Sequence, residues 1–216
     1  MDYLAPSVLS ADFSTLGNEI AIVAAAGAEV IHLDVMDGSF VPNLSFGAPV
    51  ISSVRKVTAA LFDVHLMIQE PIRYLEDFKN AGADIITVHY EACKNVEETL
   101  AKILSLGVRA GLAVSPDTPT DVIEPYIETI DMVLIMSVYP GFGGQTFIEN
   151  SLDKIKSVRE MADSLGRKDM WIEVDGGIDY GNIAKVKTAG ANVFVAGSAV
   201  FKGNPSVNVK KLRALL

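Results

Sequence analysis

Short apolar runs alternate with longer amphipathic stretches along this chain. The runs are Leu4–Leu9, Val30–Val35, Leu61–Ile68, Asp84–His89, Arg109–Val114, Met132–Val138, Met170–Val174 and Asn192–Ala196. They are rich in Val and Ile and predict strands buried on both faces. Helical spacing is clearest at Ser14–Ala26, Pro71–Ala81, Val96–Leu106, Ile148–Leu165 and Gly181–Ala189. Ser14 reads as an N-cap there, and Pro71 suits a first helical turn. A corner repeats between helix and strand as Ala26-Gly27-Ala28, Ala81-Gly82-Ala83 and Ala189-Gly190-Ala191, with Leu106-Gly107-Val108 a looser copy. Glycine at such a corner ends a helix in the left-handed conformation and turns the chain back to the sheet. The spacings between these glycines, 55, 25 and 83 residues, approximate two, one and three units of about 27 residues, the size of a βα unit. Eight such units predict an α/β architecture, the (β/α)8 or TIM barrel, as one domain over residues 1–216. The competitor is an open doubly wound sheet, which usually has five or six strands.

Composition narrows the class. Of 216 residues 50% are apolar and 21% charged, an ordinary globular balance, and the formal charge of −9 disfavours nucleic acid and anionic membranes as partners. No run approaches a membrane span, and no basic segment precedes an apolar one at the N-terminus, so no signal peptide is expected. The only cysteine, Cys93, excludes an intramolecular disulfide and fits a reducing, cytoplasmic setting.

Alternate residues of a barrel strand point inward. His32, Asp34 and Met36 share one parity, as do His65 and Met67 one strand over, and Glu173 and Asp175 across the barrel. Barrel enzymes place their active sites at the C-terminal ends of the strands. His32, Asp34, His65 and Asp175 therefore form a plausible site for Zn²⁺ or a similar divalent ion. The competing reading makes them structural residues satisfied by hydrogen bonds, but an unpaired buried carboxylate is costly. His89 is either a further active-site group or a satisfied rim histidine. Met36, Met67 and Met136 either fill the core or line a flat intermediate.

Three consecutive βα loops are rich in glycine: Tyr139-Pro140-Gly141-Phe142-Gly143-Gly144-Gln145, Asp175-Gly176-Gly177-Ile178 and Ala196-Gly197-Ser198-Ala199. Glycines let backbone N–H groups approach an anion, and the loops after strands seven and eight are the usual phosphate seat of this fold. No Lys or Arg lies in the three loops, so amides would hold the phosphate. The competing reading is three tight turns, but three consecutive βα loops of this kind favour a phosphate seat.

With these stretches the chain closely resembles the ribulose-phosphate 3-epimerases. The resemblance rests on Ala5-Pro6-Ser7-Val8-Leu9-Ser10-Ala11-Asp12-Phe13, His32-Leu33-Asp34-Val35-Met36-Asp37-Gly38, Phe40-Val41-Pro42-Asn43, Asp63-Val64-His65-Leu66-Met67 and Met136-Ser137-Val138. It continues through Pro140 to Gln145, Glu173 to Gly177 and Val195 to Ala199, in the family's order from end to end. It implies a barrel of the ribulose-phosphate-binding type. His32, Asp34, His65 and Asp175 look like the family's metal ligands, with Zn²⁺ expected and Fe²⁺, Mn²⁺ or Co²⁺ as alternatives. Asp34 and Asp175 look like its acid/base pair. Ser7, His65, Met36, Met67, Met136, Gly141, Phe142, Gly143, Gly144, Gly176, Gly177, Gly197 and Ser198 look like substrate contacts. Tyr139 and Ser115 stand where the commonest pattern has Asn.

The implied reaction interconverts D-ribulose 5-phosphate and D-xylulose 5-phosphate at C3, a step of the pentose phosphate pathway, in a homo-oligomer such as a dimer or hexamer. The proton removed is α to a ketone and its loss gives an enediolate, so inversion calls for one carboxylate on each face. The rivals are an allulose-6-phosphate 3-epimerase, a phosphosugar lyase and a non-catalytic phosphosugar-binding barrel. No inward strand end carries the lysine that a lyase would use.

Overall fold

The computed structural model describes residues 1–216. Eight strands form one parallel sheet: β1 (Tyr3–Pro6), β2 (Val30–Met36), β3 (Leu61–Met67), β4 (Ile85–His89), β5 (Arg109–Val114), β6 (Met132–Met136), β7 (Trp171–Asp175) and β8 (Val193–Ala196). From β2 to β8 each strand pairs with the next in sequence, β1 pairs with β8, and a single parallel bridge from Ser7 to His32 joins the segment after β1 to β2. This is the expected (β/α)8 barrel. Helices α1 (Leu16–Ala25), α2 (Ala48–Val54), α3 (Leu75–Asn80), α4 (Val96–Ser105), α5 (Ser151–Ser164), α6 (Ile183–Thr188), α7 (Ser198–Phe201) and α8 (Pro205–Arg213) lie in the connections and after β8.

Strand alternation sorts the side chains. Ile31, Leu33 and Val35 of β2, like Phe62, Val64 and Leu66 of β3, belong to the large core shared with the helices. The intervening residues face the barrel interior. There the register sets His32 beside Asp63, Asp34 beside His65, and Met36 beside Met67. Ala5, Val30, Val193 and Val195 form an apolar cluster in the interior, Val193 level with Glu173 and Val195 level with Asp175.

The structure corrects several local expectations. The first strand stops at Pro6, and Val8–Ser10 forms a 3-10 turn whose Val8 remains fully buried. An apolar run cannot by itself distinguish a strand from a buried turn. Ser14 does not cap the helix: it lies inside a 3-10 turn, Phe13–Thr15, capped by Asp12, whose carboxylate accepts from Ser14 N at 2.9 Å and Ser14 Oγ at 2.7 Å, and α1 begins only at Leu16. Pro71 opens a short 3-10 turn that precedes α3. Between β5 and β6, where the repeat calls for a helix, Thr120–Ile123 makes one 3-10 turn introduced by Pro119.

The glycine corners behave as expected, with φ of 110° at Gly27, 102° at Gly82, 75° at Gly107 and 118° at Gly190. A side chain at Gly27 would meet nothing within 4 Å, whereas at Gly190 its Cβ would lie 2.7 Å from Arg159 Cβ. Gly27→Ala should therefore cost about 1–2 kcal/mol, the left-handed penalty alone. Gly190→Ala should cost measurably more in a denaturant titration, because Arg159 also donates to Gly190 O and Met170 O and must move. Equal losses would contradict this account.

Candidate active site

At the C-terminal end of the barrel a cleft opens between the βα loops. Ser7, Asp34, Met36, Met67, Met136 and Asp175 form its floor, and the three glycine-rich loops form its wall. Gly141, Phe142, Gly143, Gly144, Gly176, Gly177, Gly197 and Ser198 all line it. His32 and His65 lie just beneath, fully buried. The structure thus brings the four candidate ligands and the candidate substrate contacts to one end of the barrel.

The floor is a dense polar cluster. His32 Nε2 lies 3.3 Å from His65 Nδ1, and Asp34 Oδ1 is 3.3 Å from the first and 3.1 Å from the second. Asp175 Oδ2 is 3.8 Å from His32 Nε2 and 3.9 Å from His65 Nδ1. One potential ligand atom from each of the four residues falls within 4.8 Å of the others. Two nitrogens and two carboxylate oxygens converging on one point suit Zn²⁺ or a similar divalent ion. The surroundings support that fit. Asp63 Oδ2 accepts from His32 Nδ1 at 2.7 Å, which turns the Nε2 lone pair of a neutral ring toward the common point. Ser7 Oγ donates to Asp34 Oδ2 at 2.6 Å and leaves Oδ1 facing the histidines.

When no ion is bound, burial and charge set the protonation of this cluster. Burial opposes ionisation of Asp34, but the His32 and His65 rings outweigh it and hold the carboxyl well below its usual range. Burial, then the charge of Asp34, raises Asp175 to about 7. Burial also disfavours a charged His32, yet Asp34, Glu173 and Asp63 together lift its pKa well above normal. For His65 burial wins, and its pKa falls to about 4. Glu173 is pushed well up by burial and by Asp63, and neither of its oxygens has a hydrogen-bond partner.

Asp63 and Glu91 were not singled out by sequence reasoning. Asp63 has a signal there, because it shares the inward parity of His65. Glu91 has none, because its role depends on a turn after β4. His89 is fully buried, and its Nε2 lies 2.9 Å from His65 Nε2, so it belongs to the cluster and not to the rim.

In the loops, the backbone N–H groups of Gly144, Gly177 and Gly197 donate to no acceptor in the chain, although all three residues line the cleft. Gly177, at φ 65°, could carry no side chain, since a Cβ would sit 2.4 Å from Phe147 N. Ser137 Oγ donates to Asp175 O at 2.9 Å and Gly176 O at 2.7 Å, fixing the start of that loop.

Known proteins give this geometry its context. Solved structures with the same fold include a 3-hexulose-6-phosphate synthase, 18% identical with a TM-score of 0.70 and all of both chains covered. A variant tryptophan synthase alpha-subunit from Pyrococcus furiosus, 16% identical, aligns with a TM-score of 0.74 over 99% of this chain and 98% of its own. Identities this low show the fold alone. Sequence relatives are far closer. The ribulose-phosphate 3-epimerase of Bacillus subtilis (strain 168) is 54% identical over 92% of this chain and 91% of its own length. That of Escherichia coli (strain K12) is 48% identical over 92% of this chain and 88% of its own. The model of the Ribulose-phosphate 3 epimerase family matches residues 3–201. Matched over nearly its whole length, the chain belongs to the ribulose-phosphate 3-epimerase family of isomerases.

Proposed function

We propose that the chain inverts C3 of D-ribulose 5-phosphate to give D-xylulose 5-phosphate, with Asp34 and Asp175 as paired acid/bases and a divalent ion, Zn²⁺ first among candidates, held by His32, Asp34, His65 and Asp175. The observation that carries this reading is the convergence of those four side chains at the base of one cleft from three strands of the barrel. When bound, such an ion supplies electrostatic stabilisation for the negative charge of an enediolate.

The side chains do the rest. Asp34 on β2 and Asp175 on β7 reach the cleft floor from widely separated strands, so a flat intermediate between them offers one face to each. Without an ion Asp34 is held low and Asp175 is raised to about 7, so binding a divalent cation would displace the Asp175 proton and leave both carboxyls ionised. Ser7 orients Asp34, and Ser137 anchors the backbone of Asp175. Met36, Met67 and Met136 keep water from the reacting carbon with soft, adaptable surface. The free N–H groups of Gly144, Gly177 and Gly197 receive the phosphate without a cationic side chain. A phosphosugar lyase is less well supported, since no lysine lines the cleft.

Exhaustive chelation should abolish turnover and added Zn²⁺ should restore it. His65→Ala should bind zinc at least ~10-fold more weakly while circular dichroism shows the barrel intact. Full activity in protein shown by elemental analysis to be metal-free would refute the ion.

Asp34→Asn and Asp175→Asn should each lower kcat by about 10²–10⁴. Each variant retains one base, so in deuterated water the two should wash deuterium into opposite epimers without inverting them. Metal content is measured alongside. Variants that keep their metal and epimerise at near-normal rates would overturn the two-base assignment.

A further inference from the structure

All three histidines of the chain form one contact chain, and it ends on a carboxylate outside the proposed ligand set. His65 Nε2 and His89 Nε2 are 2.9 Å apart, and the rings stack with centroids 5.0 Å apart. Two ring nitrogens at that distance need one proton between them, so one must donate and the other accept. His89 Nδ1 faces Glu91 Oε2 at 3.2 Å. An ionised carboxylate only accepts, so His89 Nδ1 carries the proton and Nε2 is left to accept from His65 Nε2–H. His65 then presents the Nδ1 lone pair to the cluster.

Glu91 is itself held in place. Its other oxygen, Oε1, accepts from Ser115 N at 2.8 Å and from Thr118 Oγ1. Burial opposes its ionisation, but the bonds from His89, Thr118 and Ser115 prevail and keep its pKa near 2. Its side chain is 26% exposed while His65 and His89 are at 0%, so the chain runs from a partly wet turn to the barrel interior.

We infer that Glu91 and His89 are positioning residues that fix the tautomer of His65, with Nδ1 unprotonated and aimed at the metal centre. This rests on the metal reading proposed above. Hydrogen-bond polarity makes it separable from simple packing. In Glu91→Gln the amide oxygen stays with the two donors, Ser115 N–H and Thr118 O–H, and the amide NH2 turns to His89 Nδ1. The His89 proton must then move to Nε2, where it opposes the proton of His65. One isosteric change thus reverses the chain's polarity. His89→Gln has the opposite character: its carbonyl can accept from His65 while its NH2 donates to Glu91, so the polarity survives.

The test is ¹⁵N NMR of histidine-labelled protein, in which only three rings contribute, combined with zinc affinity by chelator competition and a thermal melt. The unaltered protein should show His89 protonated at Nδ1 and bind one Zn²⁺. Glu91→Gln should melt near the unaltered protein, show His89 protonated at Nε2, and lose about 10–100-fold in zinc affinity, the usual worth of a partner behind a ligand histidine. His89→Gln should hold zinc much more tightly than Glu91→Gln. Tight zinc binding by the unaltered protein with equal affinity in Glu91→Gln, or a His89 proton that stays on Nδ1 in that variant, would overturn this inference alone. Failure of the unaltered protein to bind zinc would remove the metal reading and this inference together.

Discussion

Burying charge inside a closed sheet is the constraint on which the rest of this structure depends. Asp34, Asp63, Glu173 and the three histidines are nearly or fully buried, and the Asp175 side chain is only 17% exposed. Unpaired, each ionised group would cost several kcal/mol. The barrel meets this by layering. Below, Asp63 takes hydrogen bonds from Thr87 and His32, and burial with the nearby Asp63 disfavours charge on Glu173. Above, Asp34, Asp175 and the facing nitrogens of His32 and His65 converge in a set that a divalent cation would satisfy. Apolar neighbours flank the cluster: Val193 and Val195 lie level with Glu173 and Asp175, and Met36 and Met67 stand beside Asp34 on the cleft floor.

That layering follows from register. A slip of one residue on β2 would move His32, Asp34 and Met36 out to the helices and bring Ile31, Leu33 and Val35 inward. Period-two alternation in the sequence therefore located the four converging side chains, and the glycine corners located the βα repeat. The strand ends were less legible, because Val8 and Leu9 continue an apolar run into a turn. The Asp12 cap was hidden for a similar reason: Ser14 looks like a cap until the geometry shows it donating to Asp12. Glu91 could not be read at all. Its place under His89 depends on the 3-10 turn Tyr90–Ala92, and its bonds to Ser115 and Thr118 span more than twenty residues.

The fold by itself says little about chemistry. Solved structures named for other reactions, a hexulose-phosphate synthase and a tryptophan synthase alpha-subunit among them, superpose along almost the full chain. Function lies in what the strand ends carry. Here they carry two carboxyls reaching the cleft from β2 and β7, imidazoles beneath them and unpaired loop amides opposite, with no lysine in the cleft. That set matches proton removal beside a carbonyl in a phosphorylated sugar better than carbon–carbon cleavage through a lysine.

The central claim is that a proton leaves C3 to one carboxylate and returns from another on the opposite face. Proton NMR of ribulose 5-phosphate incubated with the unaltered protein in deuterated water tests it directly. The account predicts that xylulose 5-phosphate accumulates with deuterium at C3, placed there by an acid equilibrated with solvent. Product that retains the original C3 proton throughout, at a rate matching turnover, would contradict it.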